Sequence, residues 1–331
     1  MLVPFKNLKT QKIRNFFILN FFLGAFRDVC SIDNKFYLYD SKAQEILLLD
    51  LTSTETTFQD DLHVEKLLEH QGSSEWTGRT IRTHSRAEEC PPHLLLNLNQ
   101  TGIKVVKLGH QGTSVAKDGA FEIGLEVLRR PGADPDQKIT VLDHYGILGN
   151  HCVLVTSDGI LGVFGYNLST QTSINLSRVD LRDRKSDFDQ IKKITENEEF
   201  ITLAVSPQCS HVAIHARDAT SHNATRLILG KIDRNLRIEI IDEFDLKTPK
   251  TRFFQTLSFT TAIPELDNAM VLTGMTSSLR SHAMSFLVYR DKLHMVDSRR
   301  VDARFPMKLV RFGQKLVLSD QEAKLVSIGY C

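Results

Sequence analysis

The sequence predicts an all-β fold, and three observations lead there. β-branched and aromatic residues gather in runs of about six to nine positions, with turn residues roughly every 8–12 positions. Patterns with a helical period of 3.6 are nearly absent, so the amphipathic helices that a βαβ arrangement needs are missing. A four-stranded meander also recurs along the chain. Its first strands fall near Phe26, Arg79, Ile139, Phe200, Thr256 and Met307, at successive gaps of 53, 60, 61, 56 and 51 residues. A meander of four strands at this period is the pattern of a β-propeller blade, which cannot bury both faces alone and stacks on its neighbours.

Taken in order, the elements follow that plan. Phe26–Thr52 holds three short runs, FRDVCSID, NKFYLYDS and KAQEILLLDLT, parted by the polar turns Asp33-Asn34 and Ser41–Gln44. Ser53–Gly78 is polar, and His63–His70 within it reads as a short helix or a fourth strand. Arg79–Arg130 gives TIRTHSRA, HLLLNLNQ, a Thr101-Gly102 turn, IKVVKLG and FEIGLEVL, leaving Gly109–Phe121 as a polar loop. Arg129–Gln137, with two prolines and a glycine, is a loop.

Ile139–Leu181 repeats the arrangement, with Asp158-Gly159 as a turn between HCVLVTSD and ILGVFGYN. A charged connector, RDRKSDFDQ, leads to Phe200–Asp218, the clearest hairpin. There Phe200–Val205 and His211–Ala216 flank the turn Ser206-Pro207-Gln208-Cys209-Ser210. TRLILGKID and RIEIIDEFDL complete that unit. Thr256–Val301 supplies TLSFTTAIP, NAMVLTG, AMSFLVYRD and KLHMVDSRRV, and the chain ends on MKLVRFG, KLVLSDQ and KLVSIGY.

Met307–Cys331 has three strands in 25 residues, and Met1–Ala25 has one apolar run, around Phe16–Phe22, in another 25. Together they match the period. The expectation is therefore one propeller domain over residues 1–331, of six blades, closed by an N-terminal strand. Seven blades is the alternative if Ser53–Gly78 holds part of another. Lys6, Lys9, Lys12 and Arg14 ahead of FFILNFFLGAF also give residues 1–25 the look of an organellar targeting segment, and the strand reading is preferred.

Composition narrows the function classes. The chain has 331 residues, net charge +1 and 24% charged residues. That balance argues against a dedicated nucleic-acid binder, which carries a basic excess. Cys30, Cys90, Cys152, Cys209 and Cys331 are odd in number and widely spaced, with no C-x-x-C and no zinc-type Cys/His pairing. They read as buried or inert thiols in a reducing compartment. No apolar run reaches the length of a membrane span, and association with a membrane surface is left open. Asn99, Asn167, Asn175 and Asn223 stand in N-x-S/T sequons, few enough to arise by chance.

Three hairpins resemble those of WD40-type propellers: VSPQCSHVAIHARD, HCVLVTSDGILGVFGYN (His151–Asn167) and KFYLYDSKAQEILLLDL (Lys35–Leu51). In the first, a Ser-Pro turn precedes a strand of small and apolar residues. The sequence departs from the regular repeat. Trp76 is the sole tryptophan and no Trp-Asp dipeptide exists. Tyr39-Asp40 and Leu49-Asp50 stand in comparable places, and Gly109-His110 follows a strand instead of opening a blade. The chain thus resembles a divergent WD40-like β-propeller. Lys35–Leu181 is also similar to the propeller domain of nucleoporins on the cytoplasmic face of the nuclear pore, through HLLLNLNQTGIKVVKLG and ILGNHCVLVTSDGILGVF.

Catalytic signatures are not found: there is no G-x-S-x-G and no P-loop. Asp183, Asp187 and Asp189 sit close enough to suggest a cation loop. The spacing is not that of an EF-hand, and Arg182, Arg184 and Lys185 oppose a cation, so a solvated connector is the better reading. His84, His93, His110, His144, His151, His222, His282 and His294 are scattered. His211 and His215 share one strand face and read as core or rim residues before metal ligands. Arg129-Arg130, Lys192-Lys193 and Arg299-Arg300 are short basic pairs of the kind that decorate a solvated rim.

No catalytic, cofactor-binding or metal residues are assigned, and no cofactor is expected. The expected function is a non-enzymatic protein–protein interaction scaffold, a subunit of a larger intracellular assembly, cytoplasmic or associated with the nuclear envelope. It would bind other proteins through loops and blade faces. The alternative is a propeller hydrolase or lyase whose residues gather at a central channel from several blades.

Overall fold

Side-chain alternation, with turn residues between runs, leaves strands as the elements of the computed structural model. It describes residues 28–32, 35–40, 43–50, 64–69, 80–84, 92–97, 102–109, 112–124, 136, 139–147, 150–182, 198–206, 208–221, 224–246, 251–260, 269–276, 281–300, 306–312, 315–320 and 325–328. Twenty-three strands and no helix occur among them. The expected closing strand and Asp183, Asp187 and Asp189 lie outside the described residues.

The strands form six antiparallel sheets, each in chain order. The first holds β1 (Asp28–Ile32), β2 (Lys35–Asp40), β3 (Glu45–Asp50) and β4 (Val64–Glu69). The second holds β5 (Thr80–His84), β6 (His93–Asn97), β7 (Gly102–Leu108) and β8 (Val115–Gly124). The third holds β9 (Val141–Ile147), β10 (His151–Thr156), β11 (Ile160–Asn167) and β12 (Thr172–Asp180). The fourth holds β13 (Glu198–Val205), β14 (His211–Asp218), β15 (Ala224–Ile232) and β16 (Ile238–Asp245). The fifth holds β17 (Thr251–Thr260), β18 (Ala269–Thr276), β19 (Ser281–Tyr289) and β20 (Lys292–Arg300). The sixth has three strands among the described residues, β21 (Pro306–Phe312), β22 (Lys315–Asp320) and β23 (Leu325–Ile328).

Two expectations need correction or choice. The helix-or-strand ambiguity at His63–His70 resolves as strand β4. Gly109–Phe121 is not one long loop, because β8 begins at Val115. The loop shrinks to a tight turn closed by Gly109 N–H to Ser114 O at 2.8 Å and Gly112 N–H to Gly109 O at 2.7 Å. Lys117, Ala120, Glu122 and Gly124 of β8 are exposed. A sheet-edge strand with so many positions in water carries too few apolar residues to read as a strand.

The chain divides into two compact units, Ala25–Asp158 with Gly162–Leu176, and Gly159–Leu161 with Ser177–Cys331. In the first unit, Tyr37, Tyr39, Ile46 and Leu48 of the first sheet pack on Leu94, Leu96, Val106 and Leu108 of the second. In the other, Ala204, Ala213, Leu227 and Leu229 of the fourth sheet meet Met270, Leu272, Met284 and Phe286 of the fifth. Phe244 stands edge-on to Phe286 at 5.2 Å. Each Leu, Ile, Val, Met or Phe among them contributes about 1.5–3 kcal/mol on full burial.

Burial falls towards the last strand in the third and fourth sheets. In the third, β10 and β11 are almost wholly buried, whereas β12 alternates between exposed and half-buried positions over its first half. In the fourth, β14 is buried over six positions and β16 is mostly half-buried. The first strands of neighbouring sheets lie against one another, β1 on β5 and β5 on β9 in one unit, β13 on β17 and β17 on β21 in the other. Water therefore meets β12 and β16 more than the strands beside them.

Buried polar side chains reach from sheet to sheet. In the first unit, Asn97 donates to Val141 O at 2.9 Å, and His144 Nε2 donates to Leu95 O at 2.9 Å. His93 Nε2 lies 2.6 Å from the Tyr166 hydroxyl, with the rings edge-on. Tyr37 donates to Gly112 O at 2.9 Å. Gly112 has φ +70°, and a Cβ there would stand 2.7 Å from the Tyr37 hydroxyl, so both conformation and space require glycine. Gly159, φ +88°, makes the expected Asp158-Gly159 turn; a Cβ there would meet Phe200 at 2.9 Å.

Two stability measurements follow. Tyr166→Phe leaves the buried His93 without its hydroxyl partner and is expected to cost about 1–3 kcal/mol in urea unfolding. His215 is fully buried, and burial, then the nearby Arg217 charge, lower its pKa from 6.5 to about 3. The unfolded chain takes up this proton below pH 6.5 and the folded chain does not. Stability is therefore unaffected above pH 6.5 and declines as pH falls from 6.5 towards 3. His215→Leu is expected to flatten that decline in thermal melts between pH 7 and pH 4.

Candidate interaction surface

The turn between β13 and β14 is built by one serine. Ser206 Oγ accepts the Ser210 N–H at 3.0 Å and the His211 N–H at 2.9 Å, while Ser206 N–H donates to His211 O. Cys209 takes φ 55° and donates its N–H to Ser206 O. Ser206 is buried, which makes these bonds costly to lose.

That turn places His211 beside its cross-strand partner Lys231 on β15. Both point to Asp291 in the β19–β20 turn of the next sheet. Lys231 Nζ is 2.7 Å from Asp291 Oδ2, and His211 Nε2 is 3.5 Å from Oδ1. On its other side His211 Nδ1 lies 2.9 Å from Ser210 Oγ. Lys231, chiefly through its hydrogen bond, holds the Asp291 carboxyl below its ordinary value, with His211 helping. Leu293 N–H donates to Asp242 on β16 at 2.6 Å, a second tie between the fourth and fifth sheets.

The β19–β20 turn has two residues, Arg290 with φ 50° and Asp291 with φ 60°. Such turns match the twist of the strands and favour Asn-Gly. A left-handed φ costs on the order of 1 kcal/mol at Arg290, and less at Asp291 because aspartate tolerates that conformation. The turn sets Arg290 over the Tyr289 ring at 5.2 Å, with His294 at 6.2 Å from the same ring. Tyr289 is 54% exposed, and Met295 and Val296 are exposed on β20. In the other unit, Ile174 and Leu176 are exposed two residues apart on β12.

The histidines spread over β5, β6, β9, β10, β14, β19 and β20, with His63, His70, His110 and His222 outside the described residues. His93 and His144 are brought to one junction, but each is held by a structural hydrogen bond. His215 is core, and His211 faces Asp291. No group of three or more His, Cys, Asp or Glu among the described residues could hold a metal ion. Asn167 of the first described sequon caps its own turn, accepting from Ser169 and Thr170 N–H. Cys152 is fully buried, and burial pushes its thiol up to about 12. Among the described residues, no helix is long and apolar enough to cross a membrane.

Sequence reasoning missed the Arg290-Asp291 turn. The available signal was a charged dipeptide between two alternating runs, without the glycine or asparagine that marks such turns.

Comparison with known proteins gives fold and little else. No family model matches the chain. It is 34% identical to large ribosomal subunit protein uL4 of Teredinibacter turnerae over 101 residues, 30% of this chain, and so spans 45% of that protein's length. Among solved structures it resembles the Cps50 (Swd1) β-propeller domain of Myceliophteria thermophila, with TM-score 0.56, 10% identity, and 92% of this chain and 84% of that one covered. It also resembles a "putative 6-phosphogluconolactonase" of Bacteroides uniformis, with TM-score 0.57, 12% identity, and 90% and 78% covered. Hydrazine synthase of Kuenenia stuttgartiensis follows at TM-score 0.55, 9% identity, and 89% and 74% covered. The likeness is one of fold: an all-β chain of antiparallel sheets with propeller neighbours.

Ser206→Ala is expected to cost about 1–3 kcal/mol, because two backbone N–H groups lose a buried acceptor. Asp291→Asn is expected to cost under about 1 kcal/mol, since the ion pair is half-exposed. Urea titration of the two variants separates them.

Proposed function

We propose that this protein is a non-enzymatic interaction platform within a larger intracellular assembly, its sheets forming the six blades of one ring. The strand expected around Phe16–Phe22 would complete the three-stranded sixth sheet. The observation carrying the platform reading is the position of four of the six exposed large apolar side chains among the described residues, Tyr145 on β9 and Tyr289 on β19 being the other two. Ile174 and Leu176 lie on β12, Met295 and Val296 on β20, each the last strand of its sheet. A last strand leaves one row of backbone groups unpaired within its sheet and so offers side chains and, where no bulge interrupts it as one does on β20, its ladder to a partner. The Cps50 (Swd1) domain supports the reading through fold alone.

A propeller enzyme is the second reading. Ser210 Oγ stands 2.9 Å from His211 Nδ1, the pairing a nucleophile and its base require, with Asp291 beyond. Lys231 holds that carboxylate at shorter range, which weakens its hold on the imidazole. Localisation to the cytoplasm or nuclear envelope belongs to the platform proposal.

The test is affinity purification of the tagged full chain beside the variants Ile174→Asp with Leu176→Asp, and Met295→Asp with Val296→Asp. Stoichiometric partners that one pair of substitutions removes, without loss of thermal stability, are the expected result. Recovery of the chain alone contradicts the platform. Labelling by a fluorophosphonate probe that Ser210→Ala abolishes would favour the enzyme.

A further inference from the structure

We propose that the β19–β20 hairpin docks a carboxylate-rich peptide segment of a partner protein, with Arg290 and Lys292 meeting its acids and Tyr289 an apolar side chain. The proposal rests on the platform reading and names the chemistry of one partner.

Charge complementarity carries it. The carboxylates near the tip are already engaged: Asp291 by Lys231 and His211, Asp242 by the Leu293 N–H. Asp291 is also the more firmly ionised for having Lys231 beside it. The cations are not engaged in the same way. Arg290 and Lys292 are exposed, and neither pairs with a carboxylate among the described residues. Arg290 instead lies over Tyr289, which is 54% exposed. Two available cations thus flank an exposed aromatic ring. Exposed Tyr and Arg are the residue types on which interface energy concentrates.

The backbone adds a second argument. Arg290 and Asp291 hold left-handed φ where Asn-Gly would be unstrained. Asp291 is used by the fold, through Lys231 and His211. Among the described residues Arg290 has no fold partner except the exposed ring, and strain kept on an exposed arginine points to recognition. The register of β19 and β20 shifts between Ser285 and Phe286, a bulge that breaks the ladder of β20. A bulge blunts main-chain pairing with an added strand, so the side chains at the tip carry the contact.

The test uses the purified full chain and a short fluorescein-labelled peptide of Glu and Asp around one Leu and one Phe, read by fluorescence anisotropy. The expected result is salt-sensitive binding, weakened about tenfold or more by Arg290→Gly and by Tyr289→Ala. Arg290→Gly removes the cation and relieves the left-handed φ, so its melting temperature is expected not to fall. Four outcomes overturn the proposal: no binding, equal affinity for the Gln/Asn version of the peptide, tighter binding of labelled oligouridine, or unchanged affinity in Arg290→Gly. If Arg290→Gly with Lys292→Gln retains every partner of the wild-type chain, the hairpin is excluded and the platform stands. If the wild-type chain recovers none, the platform itself fails.

Discussion

The structure depends on satisfying buried polar groups between neighbouring sheets. A four-stranded meander has two faces and hides neither alone. Apolar packing brings sheets together without fixing how far one slides on the next. The side chains of Asn97, His144, His93 and Tyr37 fix that, because each reaches a partner on the adjoining sheet of its unit while buried. A slide of one residue would leave these groups unsatisfied in a low-dielectric interior, where the penalty is largest. The same logic explains Gly112, whose carbonyl is the acceptor for Tyr37 and whose Cα must admit the phenol.

In the other unit the ties between the fourth and fifth sheets are ionic and closer to water. Lys231 and His211 reach Asp291, and Asp242 accepts from Leu293. Such pairs contribute less to stability than buried hydrogen bonds do. What they do is position: they hold the β19–β20 turn against the fourth sheet and spend its carboxylates there. The exposed Tyr289, Arg290 and Lys292 are then presented on a fixed base, which would lower the entropy lost on binding the proposed peptide.

Much of the strand layout was legible in the sequence because alternation and turns are local. β13 and β14 fall where the Ser206–Ser210 turn placed them, and the Asp158-Gly159 turn has the left-handed glycine that its sequence requires. β8 was harder, since its exposed positions read as loop. The inter-sheet hydrogen bonds were not legible at all. His93 and Tyr166 are 73 residues apart, and nothing in either neighbourhood marks the other. The candidate surface was hidden for the same reason. His211, Lys231 and Asp291 lie on two sheets, and Arg290-Asp291 lacks the glycine or asparagine that marks such turns. His211 and His215 looked alike in sequence, yet one faces a carboxylate and the other the core, a distinction made by neighbours far along the chain.

The central proposal is that this chain meets partners through β12 and the β19–β20 hairpin and not through the first strands of its sheets. Hydrogen exchange, followed by mass spectrometry on the free chain and on the chain within its purified assembly, addresses it directly. The account predicts slowed exchange in peptides spanning β12 or the β19–β20 hairpin, with β5, β9, β13 and β17 unchanged. Slowing confined to those first strands would contradict it.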